Sequence, residues 1–103
     1  MMLKNNSLFI ASVDSTFDKE FILQKIESFG LGRVRNIIVL PNVKNRNDTI
    51  SNRVIIHFSY WFDNEYVNNV KNRIFNKQEI INTMYQEPCF WQIMAYRKLI
   101  KSF

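Results

Sequence analysis

The sequence predicts an α+β fold in which two helices cover one face of a four-stranded antiparallel sheet. Three observations indicate it: short runs of alternating hydrophobic residues, two apolar stripes at helical spacing, and an aromatic residue followed by aspartate before each stripe. With 103 residues, 47% of them hydrophobic, the chain is expected to form one domain. That domain covers residues 1–103, with its core at about 7–98 and a short basic tail at 99–103.

The first strand and helix are predicted from residues 7–30. The segment SLFIASV, residues 7–13, alternates in the period of a half-buried strand. Asp18 is expected to cap the first helix, with Phe17 packing on Ile22 as a hydrophobic staple. Gly30 follows the last apolar position of the stripe and tolerates the left-handed conformation that ends many helices.

Two more strands are predicted before the second helix. The segment GRVRNIIVLPN reads as a strand that stops at Pro41, and NRVIIHF reads as the next, with a loop carrying Lys44 and Arg46 between them. Alternation gives the residues of both strands that should face the core: Val34, Ile37, Val39, Val54, Ile56 and Phe58.

The last third of the chain again has an aromatic residue followed by aspartate before a helical stripe. Phe62 and Asp63 are expected to form a second staple and cap, with Val67 receiving Phe62. The segment QEIINTMYQEP offers a short strand that could form a hairpin, and CFWQIMAYRK offers the final strand. Alternation and helical spacing give the inward positions of this region as Val67, Val70, Ile74, Trp91, Ile93 and Ala95.

This order of elements is the ferredoxin-like split βαβ pattern. Right-handed crossovers place the first and third predicted strands at the centre of the sheet, with both helices on one face. The other face of the sheet is then left open.

Two segments carry a resemblance to the RNA recognition motif family, whose domains bind single-stranded nucleic acid on such an open face. LFIASV, residues 8–13, resembles the first-strand motif of the family, in which the second residue, here Phe9, stacks on a base. SNRVIIHF, residues 51–58, resembles the third-strand motif, but Arg53 and Ile55 stand at its two stacking positions. The resemblance implies a nucleic-acid-binding fold with a degenerate third strand.

The patterns VIIHFSYWFDNEY and MYQEPCFWQI are also similar to uncharacterised small proteins of large DNA viruses that contain such a domain. This similarity implies a viral source and supplies no activity. The expected location is a reducing intracellular compartment, either nucleus or cytoplasm, or a host cell or virion if the protein is viral.

The charge balance favours an acidic partner. Fourteen Lys and Arg against nine Asp and Glu give a formal net charge of +5 and a pI near 9.6. We therefore expect weak binding of single-stranded RNA or DNA, as one component of a larger assembly. The expected contacts combine the sheet face with basic segments: Phe9, Arg35, Lys44, Arg46, Arg53, His57, Arg97 and Lys98.

An alternative remains open, because the predicted open face is rich in aliphatic residues. A contiguous exposed apolar patch commonly marks a protein interface. In that case the chain is a protein-interaction module without nucleic-acid binding, unless the C-terminal tail covers the face. The interface candidates are Ile38, Leu40, Ile55 and Met94.

Catalysis, metals and membranes are not expected. Cys89 and His57 are the only cysteine and histidine, which is too few for a zinc site, and Cys89 is expected to be a small buried residue. Acylphosphatases share this order of elements, but the loop DSTFD lacks their glycine and arginine. No cofactor is expected, and no segment has the roughly 20 apolar residues that span a bilayer.

Overall fold

The computed structural model describes residues 7–41, 51–87 and 89–96. Within these ranges the chain forms five strands and two helices, and a π-helical turn, Asn72–Asn76, follows the second helix. The elements are β1 (Leu8–Asp14), α1 (Lys19–Ser28), β2 (Gly32–Pro41), β3 (Ser51–Trp61), α2 (Glu65–Lys71), β4 (Ile81–Gln86) and β5 (Cys89–Ala95). The predicted α+β class is confirmed. No helix among the described residues is both long and apolar enough to cross a bilayer.

The strands form one antiparallel sheet in the order β2-β3-β1-β5-β4. The prediction of four strands is wrong, because residues 81–86 pair with β5 as a fifth strand at the edge. Their side chains alternate between half-buried and exposed, as an edge strand with one face on the core requires. The predicted central position of β1 and β3 is confirmed.

One core lies between the sheet and both helices. Residues two apart on each central strand reach it, and both helices contribute to the same cluster, so the helices cover the same face of the sheet. Each aliphatic side chain that is fully buried there contributes roughly 1.5–3 kcal/mol. The residues of this cluster on β1, β3, β5, the two helices and the π-helical turn include Leu8, Ile10, Val54, Ile56, Trp91, Ile93, Ile22, Ile26, Val67 and Ile74.

A bulge in β2 explains an irregular spacing in its apolar residues. The register with β3 shifts on both sides of Val34: the first shift leaves Ser59 as an extra residue on β3, and the second leaves Arg35 as an extra, exposed residue on β2. Val34 and Ile37 therefore both pack on the core although they are three positions apart. A register shift in β1 after Ile10 likewise brings Val13 to the core, where it is 1% exposed.

The first helix begins and ends as predicted. The Asp18 carboxylate accepts a hydrogen bond from the backbone N–H of Phe21 at 2.9 Å, so Asp18 is the N-cap. Phe17 packs on the ring of Phe21 with centroids 4.4 Å apart. Gly30 adopts φ 76° just after the C-cap residue, in the region that favours glycine.

The second helix begins one residue later than predicted. Asn64 is the N-cap, because its side-chain oxygen accepts from the Val67 N–H at 2.9 Å. The prediction of Asp63 as the cap is therefore wrong. The Phe62 N–H donates to the Leu31 carbonyl at 2.9 Å. This bond holds the residue after β3 against the segment between α1 and β2. Phe62 is exposed, whereas Val67 is buried.

The β4–β5 hairpin corrects one further expectation. Cys89 is exposed rather than buried, because it stands opposite Gln86 at the turn, and the buried part of β5 starts at Trp91. Trp91 is 3% exposed and Trp61 packs against the core. Both tryptophans therefore fill the core, as their position beneath the helices predicts.

Candidate nucleic-acid interface

The face of the sheet opposite the helices, called here the open face, carries a row of four apolar residues. Ile38 pairs with Ile55, Ile55 with Phe9, and Phe9 with Met94. These four residues, called here the apolar row, run across β2, β3, β1 and β5 at one level. Directly opposed residues on neighbouring strands point to the same face of a sheet, so the side chains form one continuous strip.

The apolar row has little exposed surface. Ile55 is 6% exposed although it lies outside the main core cluster. Ile38, Leu40 and Met94 are half-buried. These interface candidates therefore offer little accessible apolar surface. The large apolar side chains that are exposed in the described part of the chain are Tyr60, Phe62, Tyr66, Ile80, Met84 and Phe90.

Three ring side chains meet at one end of the open face. The rings of Phe9 and Tyr96 have centroids 6.4 Å apart, and the rings of His57 and Tyr96 meet edge-on at 6.3 Å. Tyr96 is fixed there because its N–H donates to the Ser7 carbonyl at 2.9 Å, just beyond the end of β5. We call Phe9, His57 and Tyr96 the aromatic group. All three are half-buried, so part of each ring stays accessible.

Tyr96 was not among the residues predicted from the sequence. Its position follows from the alternation of β5, because it is two residues after Met94 and four after Gln92, which both lie on the open face. The motifs that carry the resemblance give stacking positions on the first and third strands only, and Tyr96 follows the last strand. Extending the alternation by one step finds this ring.

The environment of His57 favours its neutral form. Partial burial lowers the pKa of the imidazole below its ordinary value near 6.5, and the positive charge of Arg35 lowers it further. The Ser7 hydroxyl and Nδ1 of His57 share a hydrogen bond of 2.6 Å. In the neutral ring protonated at Nε2, Nδ1 accepts from that hydroxyl. His57 is thus a positioned polar group beside the rings of Phe9 and Tyr96.

Two of the predicted arginines lie in the described part of the chain. Arg53 is exposed in β3 opposite Leu40, one level beyond Ile55 on the open face. Arg35 is exposed at the bulge of the edge strand β2. The structure therefore brings Arg53 to the same surface as Phe9, whereas Arg35 lies at its rim.

The other predicted cations, Lys44, Arg46, Arg97 and Lys98, lie outside the described residues, as does the predicted covering of the face by residues 99–103. The sequence still shows where the charge excess is. Within the described ranges eight Lys and Arg balance eight Asp and Glu, so the net charge of +5 belongs to segments 1–6, 42–50, 88 and 97–103. These segments adjoin the strands that form the open face.

The turn between β1 and α1 does not resemble an anion site. The Asp14 carboxylate accepts hydrogen bonds from the Thr16 N–H at 2.9 Å and from the Thr16 hydroxyl at 2.7 Å. These bonds lower the pKa of Asp14, so the turn presents a negative charge. Among the described residues, no group of three or more His, Cys, Asp or Glu side chains is placed to hold a metal ion.

Comparison of the chain with protein-family models, with curated proteins and with solved structures finds no match. The resemblance to the RNA recognition motif family therefore stays a prediction. Because one fold serves many functions, the function has to be inferred from the residues of the open face.

Proposed function

We propose that this chain is an RNA-recognition-like domain that binds single-stranded nucleic acid weakly on its open face, as one component of a larger assembly. Support for a ferredoxin-like arrangement comes from β1 and β3, which lie side by side and are flanked by β2 and β5. In this interpretation β4 is an added edge strand.

The observation that carries the proposal is the aromatic group. Binding of single strands without strict sequence preference uses rings on which successive bases stack. Arg53 and Ile55 occupy the third-strand positions where the family has rings, but Tyr96 lies 6.4 Å from Phe9 on the other side of β1. Phe9 and Tyr96 together supply two rings at a spacing that neighbouring bases of one strand can reach.

The expected affinity is modest. Each stacked base contributes about 1–3 kcal/mol, so two rings contribute roughly 2–6 kcal/mol. A dissociation constant of 1 μM corresponds to about 8 kcal/mol. The difference has to come from phosphate contacts, for which Arg53 and the basic segments that adjoin the sheet are the available groups. The proposed affinity is therefore micromolar and strongly dependent on salt.

Fluorescence anisotropy with short labelled single-stranded RNA and DNA, measured across a salt series, tests the proposal. Phe9→Ala and Tyr96→Ala are each expected to weaken binding by about five- to a hundredfold, which corresponds to one lost stacking contact. Tyr66→Ala is the control, because Tyr66 is an exposed aromatic residue, at 56%, that lies on helix α2 and not on the open face. Circular dichroism checks that each variant keeps the fold.

The role of Arg53 is separable from that of the rings. Arg53→Gln removes one phosphate contact, so the slope of log affinity against log salt is expected to fall by about one unit. Absence of binding to both nucleic acids at low salt would contradict the proposal. That outcome would favour the protein-interaction alternative, in which the apolar row or another surface contacts a protein.

A further inference from the structure

The two edges of the sheet differ in how well they are protected from pairing with another strand. The outer strand β2 carries two exposed arginines, a bulge at Arg35 and a terminal proline, all of which hinder the addition of a strand. The opposite edge, β4, has the sequence INTMYQ, without a charged residue or proline. Among the described residues, no strand pairs with its outer side.

Exposed apolar side chains lie along this unprotected edge. Ile80, directly before β4, is 54% exposed, and Met84 within it is 57% exposed. Each lies two positions from Asn82, so alternation puts both on the same face of the sheet as Asn82. Asn82 pairs with Gln92 on the open face. Phe90, 51% exposed, pairs with Met84 on β5. Three of the exposed large apolar residues of the described chain are thus gathered at one edge.

The geometry points to a second copy of this chain as the occupant of the β4 edge, paired antiparallel about a two-fold axis at Asn82. In this register Asn82 stands opposite Asn82 of the second copy, and Met84 of each copy stands opposite Ile80 of the other. The edge is therefore self-complementary, as a two-fold interface requires. Directly opposed residues share a face, so the helices of both copies lie on the same side of the joined sheet.

One other feature fits this register. Ile80 and Met94 line one shallow cavity, which connects the edge to the apolar row. In the joined sheet, Phe90 and Met84 of one copy then continue the apolar row of the other.

The expected dimer is weak. Stable protein interfaces bury about 1,200–2,000 Å² in total, and a ladder of about five residues on each chain, with three apolar side chains, covers less. We therefore expect reversible dimerisation at a protein concentration of roughly 10–1,000 μM, as for interfaces at the low end of the size range. The proposal does not depend on nucleic-acid binding, and its tests use the protein alone.

Sedimentation equilibrium over this concentration range tests the association. Met84→Lys sets an ammonium group against Ile80 at both symmetric positions, so dimerisation should weaken about tenfold or more. Gln92→Lys is the matched control: Gln92 is exposed on the same face, one strand further in, and its variant should dimerise like the natural protein. A monomer at every concentration, or a dimer that Met84→Lys leaves unchanged, overturns the proposal.

Disulfide trapping tests the register. In a Cys89→Ser background, which removes the exposed natural thiol, Asn82→Cys places two cysteines at the two-fold axis. Opposed residues of antiparallel strands have Cα atoms about 4.5–5.5 Å apart, within the range of about 4.4–6.8 Å that a disulfide spans. Gln92→Cys is the control, since its two copies would lie about 14 Å apart across three strand spacings. Equal trapping of both variants overturns the register.

Discussion

Ile55 and Ile56 are neighbours on β3, and the loss of stability on substituting each of them shows whether a second layer covers the open face. Ile56 is 0% exposed and belongs to the core cluster between sheet and helices, whereas Ile55 is 6% exposed and points to the other face. The two side chains have the same size and nearly the same burial. They differ in what lies above them: helices cover Ile56, and no described helix or strand covers Ile55.

The expected cost of Ile→Ala follows from this difference. Each substitution removes three carbon atoms from a buried site, at about 0.8 kcal/mol each, which gives roughly 2.4 kcal/mol. At Ile56 the surrounding core cannot close completely, so a cavity term raises the loss of unfolding free energy to about 3–5 kcal/mol. At Ile55 neighbouring side chains and water fill the space. The loss there should stay at about 1.5–2.5 kcal/mol.

Urea unfolding followed by circular dichroism measures both values, with m-values unchanged if only stability is altered. Ile55→Val and Ile56→Val serve as controls, each with a loss of about 0.5–1.5 kcal/mol. An equal loss for Ile55→Ala and Ile56→Ala would refute the reasoning, because it would mean that a second layer covers Ile55 in solution. The open face would then be unavailable to nucleic acid.

Three further predictions concern single positions. His57 binds a proton near pH 6.5 in the unfolded chain and only at lower pH in the folded state. The unfolding free energy should therefore fall as the pH drops from about 7 to 5. His57→Gln should flatten this part of the plot of unfolding free energy against pH, which urea titration at each pH measures. Asn64→Ala should cost about 1 kcal/mol of stability through the lost cap and Asp63→Ala clearly less, whereas equal losses would restore Asp63 as a cap. Gly32→Ala should lower the melting temperature strongly, because a Cβ there would clash with the Tyr60 carbonyl oxygen and lie 2.8 Å from the Cα of Trp61. An unchanged melting temperature in thermal unfolding would show that β2 moves away from β3 to make room for the Cβ.

The parts of the fold that depend on short-range periodicity could be predicted from the sequence. Val54 and Ile56 face the core because side chains on a strand alternate, and that needs no tertiary information. The cap at Asn64 was missed because aspartate and asparagine are both good caps and stand next to each other. The burial of Ile55 could not be predicted, because alternation places its side chain on the open face and carries no information on what lies against that face. The position of Tyr96 on the open face could be predicted by extending the alternation of β5 by two residues beyond Met94.

The positions of Phe9, Ile55 and Tyr96 determine where a bound strand would run in the proposed complex. With an aliphatic side chain at Ile55, 6% exposed, there is no ring on β3 for a base to stack on beside Phe9. The two rings of the aromatic group proposed to stack on bases are Phe9 and Tyr96, which lie on β1 and just after β5, with Met94 opposite Phe9 on β5. Stacked bases would therefore cross from β1 towards β5, and Arg53 would meet the backbone on the other side of Phe9. Chemical-shift changes on adding a single strand should be largest around Phe9 and Tyr96 and small at Ile55, and the reverse pattern would place the bases on β3.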